Sequence, residues 1–126
     1  MAGEQGRTVL GQLSTHVLDT SSGKPAKGVA WTLFRLNGSE KNKISAGITN
    51  ADGRTDAPLL VGDAVEIGTY ELVFKVAAYF RADGTSLSNP PFLDEIPLRF
   101  AIFDVSQKYH VPLLVSPYSY STYRGS

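Results

Sequence analysis

Val29-Ala30-Trp31-Thr32-Leu33-Phe34-Arg35-Leu36 is the stretch on which the fold turns. Successive side chains of an extended strand alternate, so Val29, Trp31 and Leu33 fall on one face and Ala30, Thr32 and Phe34 on the other. Two largely apolar faces predict a central strand covered on both sides. Turn residues bound the run, with Ser21-Ser22-Gly23-Lys24-Pro25 before it and Asn37-Gly38-Ser39 after it. Further out the signal repeats at Asn50-Ala51-Asp52-Gly53, Ala82-Asp83-Gly84 and Asn89-Pro90-Pro91. Short β-branched and aromatic runs between closely spaced turns are the pattern of an all-β sandwich, here of seven or eight strands in two sheets.

Tyr70 to Val76 alternates Tyr70, Leu72, Phe74 and Val76 against Glu71, Val73 and Lys75, a strand with one wetter face. Leu98 to Val105 and Tyr109 to Val115 read as a further antiparallel pair, with Pro112 pointing to an edge position or a bulge. A single short helix is expected around Val76 to Ala82, just before the turn at Asp83-Gly84. The chain has 126 residues, 42% of them hydrophobic and 19% charged, which suits one domain with one core. We expect residues 1–10 to be a short extension and residues 11–126 to be that single domain.

Twelve lysines and arginines balance twelve aspartates and glutamates, so no net field draws nucleic acid or an anionic membrane. The absence of cysteine excludes disulfides, thiol nucleophiles and Cys-based metal sites, and suits a reducing compartment. Met1 to Gly11 lacks the charged and apolar regions of a secretory signal, no run approaches the ~18 apolar residues of a membrane span, and the chain does not end in Ser-Lys-Leu. The expected location is therefore the cytoplasm.

The chain carries two histidines, His16 and His110, both within predicted strands. Histidine titrates nearest neutrality and is the commonest general base, although a lone strand histidine is more often structural. In Leu13-Ser14-Thr15-His16-Val17-Leu18-Asp19, alternation gives His16 the same face as the hydroxyl of Ser14. His110 has hydrophobic neighbours, and burial, if the fold imposes it, would push its pKa downward and leave a neutral ring able to accept a proton. Arg54 follows the turn dipeptide Asp52-Gly53, which places it at the start of the next strand; an arginine there is most often simply solvated, but at a site it would be a fixed cation suited to carboxylate or oxyanion charge. The tail Tyr118-Ser119-Tyr120-Ser121-Thr122-Tyr123-Arg124-Gly125-Ser126 alternates tyrosines with small hydroxyl residues, and aromatic anchors so near the end predict a packed tail. A zinc site from the two histidines and Asp19 lacks the close ligand pairing of known zinc motifs. Phosphate loops, a Gly-x-Ser-x-Gly elbow and basic-aromatic nucleic-acid patches are absent from the sequence.

Together these segments resemble the 5-hydroxyisourate hydrolases, the enzymatic branch of the transthyretin-like family. Leu13 to Asp19 is similar to the family's N-terminal signature, followed by Gly23-Lys24-Pro25-Ala26. Asn50-Ala51-Asp52-Gly53-Arg54 is similar to the segment with the family's arginine, Tyr109-His110-Val111-Pro112-Leu113-Leu114 to that with its second histidine, and Tyr123-Arg124-Gly125-Ser126 to its C-terminal tetrapeptide. The resemblance runs from about Gly11 to Ser126.

It implies a transthyretin-like sandwich of two four-stranded antiparallel sheets with one short helix, assembled as a homotetramer, a dimer of dimers. Active sites would lie at a subunit interface where the tails converge. The implied reaction is hydrolysis of 5-hydroxyisourate to 2-oxo-4-hydroxy-4-carboxy-5-ureidoimidazoline in urate degradation, with no cofactor or metal. The implied catalytic residues are His16, His110, Arg54 and Ser126, with Tyr123, Arg124 and Gly125 completing the substrate site. The rival readings are a small-ligand carrier of the same fold, as transthyretin is, and a structural immunoglobulin-like module. Fold does not decide among them, so the site must.

Overall fold

The computed structural model describes residues 10–126. Its elements run β1 (Gln12–Asp19), β2 (Lys24–Pro25), β3 (Ala30–Asn37), β4 (Glu40–Ile48), β5 (Leu60–Val61), β6 (Gly68–Lys75), α1 (Val76–Ala82), β7 (Glu95–Ile102), β8 (Lys108–Ser116) and β9 (Ser119–Ser121). The one expected helix appears over the residues that the sequence indicated. One sheet orders its strands β4-β3-β6-β7. The other orders them β2-β1-β8-β9, with β5 also pairing with β1. Five strands rather than four arise in this second sheet because β2 and β5, each two residues long, pair with opposite ends of β1. Among the described residues no helix is long and apolar enough to cross a membrane.

Period-two alternation carries through to burial. In β1, Leu13, Thr15, Val17 and Asp19 are buried while Gln12, Ser14, His16 and Leu18 are half-exposed. Leu13, Val17, Leu33, Leu72, Phe74 and Leu113 are shut off from solvent between the sheets, and each such side chain contributes about 1.5–3 kcal/mol relative to exposure. The helix closes the core with Val76, Ala77 and Phe80. Its Tyr79 hydroxyl donates to Asp19 Oδ2 at 2.9 Å, tying α1 to the end of β1.

β3 is central, between β4 and β6, as its sequence indicates. Only one of its faces is enclosed, however, and Thr32 and Phe34 on the other remain half-exposed. The Lys41 ammonium stands 4.6 Å from the Phe34 ring centroid, so a long basic side chain, not a second layer, shields that apolar face. Glu71, on the wetter side of β6, is buried between Lys41 Nζ at 3.1 Å and Arg99 Nη2 at 3.3 Å.

Two expectations about pairing need correction. β7 and β8 do not pair: β7 joins β6 through all eight residues, whereas β8 lies in the other sheet beside β1. The five-residue link between them crosses from one sheet to the other, held by Tyr109, whose hydroxyl accepts from the backbone N–H of Asp104 at 2.9 Å and donates to its carbonyl at 3.1 Å. The β1–β8 pairing is parallel, over eight residue pairs from Gln12↔Lys108 to Asp19↔Val115, whereas the remaining strand pairs are antiparallel. A parallel neighbour requires a long crossover, and here nearly the whole chain supplies it.

Candidate active site

β1 and β8 carry the two histidines side by side. The parallel register sets Ser14 against His110 and His16 against Pro112, so both imidazoles emerge from the same outward face. Their ring centroids are 6.5 Å apart, with planes inclined by 38°. Asp19 belongs to the opposite, buried face and is committed to Ser21, Ser22 and Tyr79, so it cannot join the histidines as a third metal ligand. Among the described residues no group of three or more His, Cys, Asp or Glu side chains is arranged to hold a metal ion.

Arg54 reaches this face through the free edge of β1. β5 pairs with Gln12 and Leu13, and β2 pairs with Leu18 and Asp19, leaving the middle of that edge open. Arg54 fills it as an isolated antiparallel bridge to His16. The loop that delivers it is closed by Asn50, whose Oδ1 accepts from the backbone N–H of Asp52 at 2.9 Å and of Arg54 at 3.1 Å. Gly53 sits at φ +74°, and its carbonyl accepts from Val17 N–H at 2.7 Å. A Cβ there would collide with the Val17 carbonyl oxygen, so both the dihedral and the close approach demand glycine. Contrary to the sequence expectation, no strand begins at Arg54; the chain turns away and pairs again only at Leu60.

The tail follows β8 in one antiparallel register. β9 pairs Leu114 with Ser121, and the same register brings His110 against Gly125. Pro112 explains the gap between them: it has no N–H to offer the tail, and its carbonyl accepts instead from the Thr122 hydroxyl at 2.6 Å. The expected edge-like behaviour of Pro112 is therefore a local interruption on an inner strand. Pairing resumes where Gly125 N–H donates to His110 O at 2.7 Å and His110 N–H donates to Gly125 O at 3.2 Å.

The tail is docked, but its tyrosines are not what docks it. Tyr118, Tyr120 and Tyr123 are 62%, 45% and 59% exposed, and backbone pairing, the Thr122 hydroxyl and the Arg124 side chain do the holding. Arg124 turns away from the histidines, donates to Gln107 Oε1 at 2.8 Å and lies 4.6 Å from the Tyr109 ring centroid. A cavity of about 330 Å³ lies along this side, lined by β7, Tyr109, Val111 and tail residues including Tyr123 and Arg124, and it includes neither histidine. Ser126 is exposed at the end of the chain, next to the Gly125 bridge. His16, His110, Arg54 and Gly125 are thus brought together, Ser126 adjoins them, and Arg124 faces elsewhere.

With this arrangement in view, the similarities of the chain become specific. Residues 13–125 match the HIUase/Transthyretin family. The chain belongs to that family.

A 5-hydroxyisourate hydrolase of Ralstonia nicotianae is 55% identical, the match covering 93% of this chain and all of that protein. Among solved structures, an (S)-allantoin synthase superposes with a TM-score of 0.89 at 46% identity, covering 94% of this chain and 44% of the other. Sea bream transthyretin in complex with thyroxine superposes with a TM-score of 0.80 at 27% identity, covering 90% and 94% of the two chains. The proteins similar to this chain thus include ones named as enzymes and a transthyretin solved with thyroxine.

Both imidazoles have pKa values below the ordinary histidine value, chiefly because partial burial penalises the charged ring and next because the Arg54 guanidinium repels it. His16 also repels a charge on His110, while the Asp52 backbone and carboxylate partly offset the effect at His16. Two neutral imidazoles beside a permanent cation can accept a proton and stabilise an anion at neutral pH.

Sequence reading gave Ser14 no partner and overlooked Gln107 and Thr122. Ser14 Oγ lies 2.8 Å from His110 Nδ1. The shared face of Ser14 and His16 was legible from alternation, but its partner, 96 residues away, depends on the parallel register.

Proposed function

We propose that this protein hydrolyses 5-hydroxyisourate to 2-oxo-4-hydroxy-4-carboxy-5-ureidoimidazoline, a ring-opening step of urate degradation. The observation that carries this reading is the pair of imidazoles, 6.5 Å apart on one face beside Arg54, in a chain 55% identical to a named 5-hydroxyisourate hydrolase. A hormone carrier needs neither a proton-transfer pair nor the adjoining cation, which favours the hydrolase over the small-ligand carrier.

His16 and His110 share the proton chemistry. One removes a proton from water as its oxygen bonds to the cyclic amide carbonyl carbon, and a proton returns to the ring nitrogen as the carbon–nitrogen bond breaks, leaving a carboxylate. Such assistance typically contributes about 10²–10⁴-fold. Arg54 stabilises the carbonyl oxygen as it gains charge. Tyr123, Gly125 and Ser126 border the substrate, with Ser126 orienting the water or relaying a proton, and Arg124 holds the tail in place through Gln107 and Tyr109.

The histidine face is half-exposed in the single chain, and Tyr123 in the tail segment that leads to Gly125 is exposed. We therefore place the complete site at a subunit interface of a homotetramer, a dimer of dimers whose partner tails converge over the histidines. The setting we propose is cytoplasmic.

The test is to generate 5-hydroxyisourate freshly from urate with urate oxidase and follow its disappearance. The wild-type protein is expected to accelerate decay well above the buffer rate, and His16→Asn and His110→Asn to lose the acceleration while staying folded. A folded wild-type protein that gives only the buffer rate overturns the hydrolase reading. Sedimentation across a concentration series checks the tetramer.

A further inference from the structure

We propose that Ser14 is a positioning residue for His110, holding its ring through Nδ1 so that proton transfer runs through Nε2. The inference rests on the hydrolase reading, in which His110 moves a proton. Ser14 and His110 are register partners on adjacent parallel strands, and the hydroxyl lies 2.8 Å from Nδ1 in a half-buried setting. Both backbones are fixed independently of the side chains. β1 and β8 pair over eight residues, and His110 is pinned on its other side by the two hydrogen bonds to Gly125.

The choice of a hydroxyl matters chemically. Catalytic histidines are commonly oriented by a carboxylate or a carbonyl, which accepts only and therefore fixes the Nδ1–H form. A serine hydroxyl can accept from Nδ1–H or donate to a bare Nδ1, turning as the proton moves. Ser14 therefore keeps hold of His110 whether Nε2 presents a lone pair as base or an N–H as acid. It adds no negative charge to a ring whose charged neighbours include the Arg54 guanidinium and, when protonated, His16. Gly125 contributes from the tail side: a Cβ there would approach His110 Cβ to 3.1 Å and Cδ2 to 3.2 Å, so the tail backbone lies against the ring. Ser14 and Gly125 together restrict rotation of the imidazole from opposite strands.

The test combines kinetics with a reading of the ring that needs no turnover. The chain has only two histidines, so ¹⁵N imidazole resonances can be assigned with His16→Asn and followed in the intact protein. Ser14→Ala is expected to shift the His110 nitrogen resonances while those of His16 stay in place. It should lower kcat by roughly tenfold, with KM changed less than about twofold, because positioning acts on the proton-transfer step and not on uniform binding. Ser14→Thr keeps the hydroxyl on a strand-favouring side chain and should restore both the resonances and kcat. Unchanged His110 resonances in Ser14→Ala overturn the proposal, as does an unchanged kcat. Inactivity of the wild-type protein would instead refute the hydrolase reading, while the resonances would still report on the Ser14 contact.

Discussion

Gly125→Ala is the substitution that separates a functional tail from a passive one. Gly125 pairs with His110 through two backbone hydrogen bonds of 2.7 and 3.2 Å, and an added methyl would press on His110 Cβ at 3.1 Å and on the imidazole Cδ2 at 3.2 Å. Ordinary carbon contacts begin near 3.5 Å, so the tail must retreat by a few tenths of an ångström or the ring must turn. Each hydrogen bond contributes about 1 kcal/mol net. Complete loss of the bridge thus weakens tail docking by about 2 kcal/mol, or roughly thirtyfold, and partial relief costs a few-fold. We expect kcat/KM for 5-hydroxyisourate to fall between these limits. The melting temperature should change little, since Gly125 lies outside the buried core. The assay is the decay of enzymatically generated substrate alongside a thermal melt of the same sample. Full activity in Gly125→Ala would refute the claim that tail placement against His110 matters. A collapse of the melt would instead assign Gly125 to the fold.

Arg54→Gln is expected to lower kcat/KM by roughly 10²–10³-fold through loss of the charge facing the developing oxyanion. It also removes the repulsion that helps hold both histidines below their ordinary value, so the acid limb of the pH–rate profile should move to higher pH. A limb that stays in place would dissociate Arg54 from the histidines. The lowered histidine pKa values also bear on stability: the unfolded chain binds protons first, so stability is full above about pH 6.5 and declines as pH falls through the folded values. Asp19→Ala strands the Tyr79 hydroxyl and the Ser21 and Ser22 amides at the end of β1. On the order of 3 kcal/mol of stability should be lost, read by urea denaturation with no selective loss of specific activity. Burial raises the Asp19 pKa, but hydrogen bonds from Ser21, Tyr79 and Ser22 outweigh it and the net shift is downward. Its contribution is therefore present above the ordinary aspartate range and lost in acid.

The sequence by itself determined the local structure. Alternation in Leu13 to Asp19 divided core from surface correctly, because a strand facing one core must repeat every two residues. The helix over Val76–Ala82 was legible because the turn at Asp83-Gly84 ends it. Similarity of four separated segments was enough to indicate the family, and the match over residues 13–125 bears that out. What needed the tertiary structure was every relation between distant segments. The five residues between Ile102 and Lys108 suit a hairpin or a change of sheet equally well; the latter is realised, with Tyr109 hydrogen-bonded to the link. The exposure of the second face of β3 followed from which layer lies outside, a property of the assembled sheets. Likewise His16, His110, Arg54 and Gly125 are adjacent only because β1 and β8 run parallel in one register, with Arg54 on the free edge of β1 and the tail on that of β8. Residue type and spacing fix what a strand presents on each face; which strand lies beside it is settled by burial of the whole core, and the chemistry of this protein depends on that neighbour.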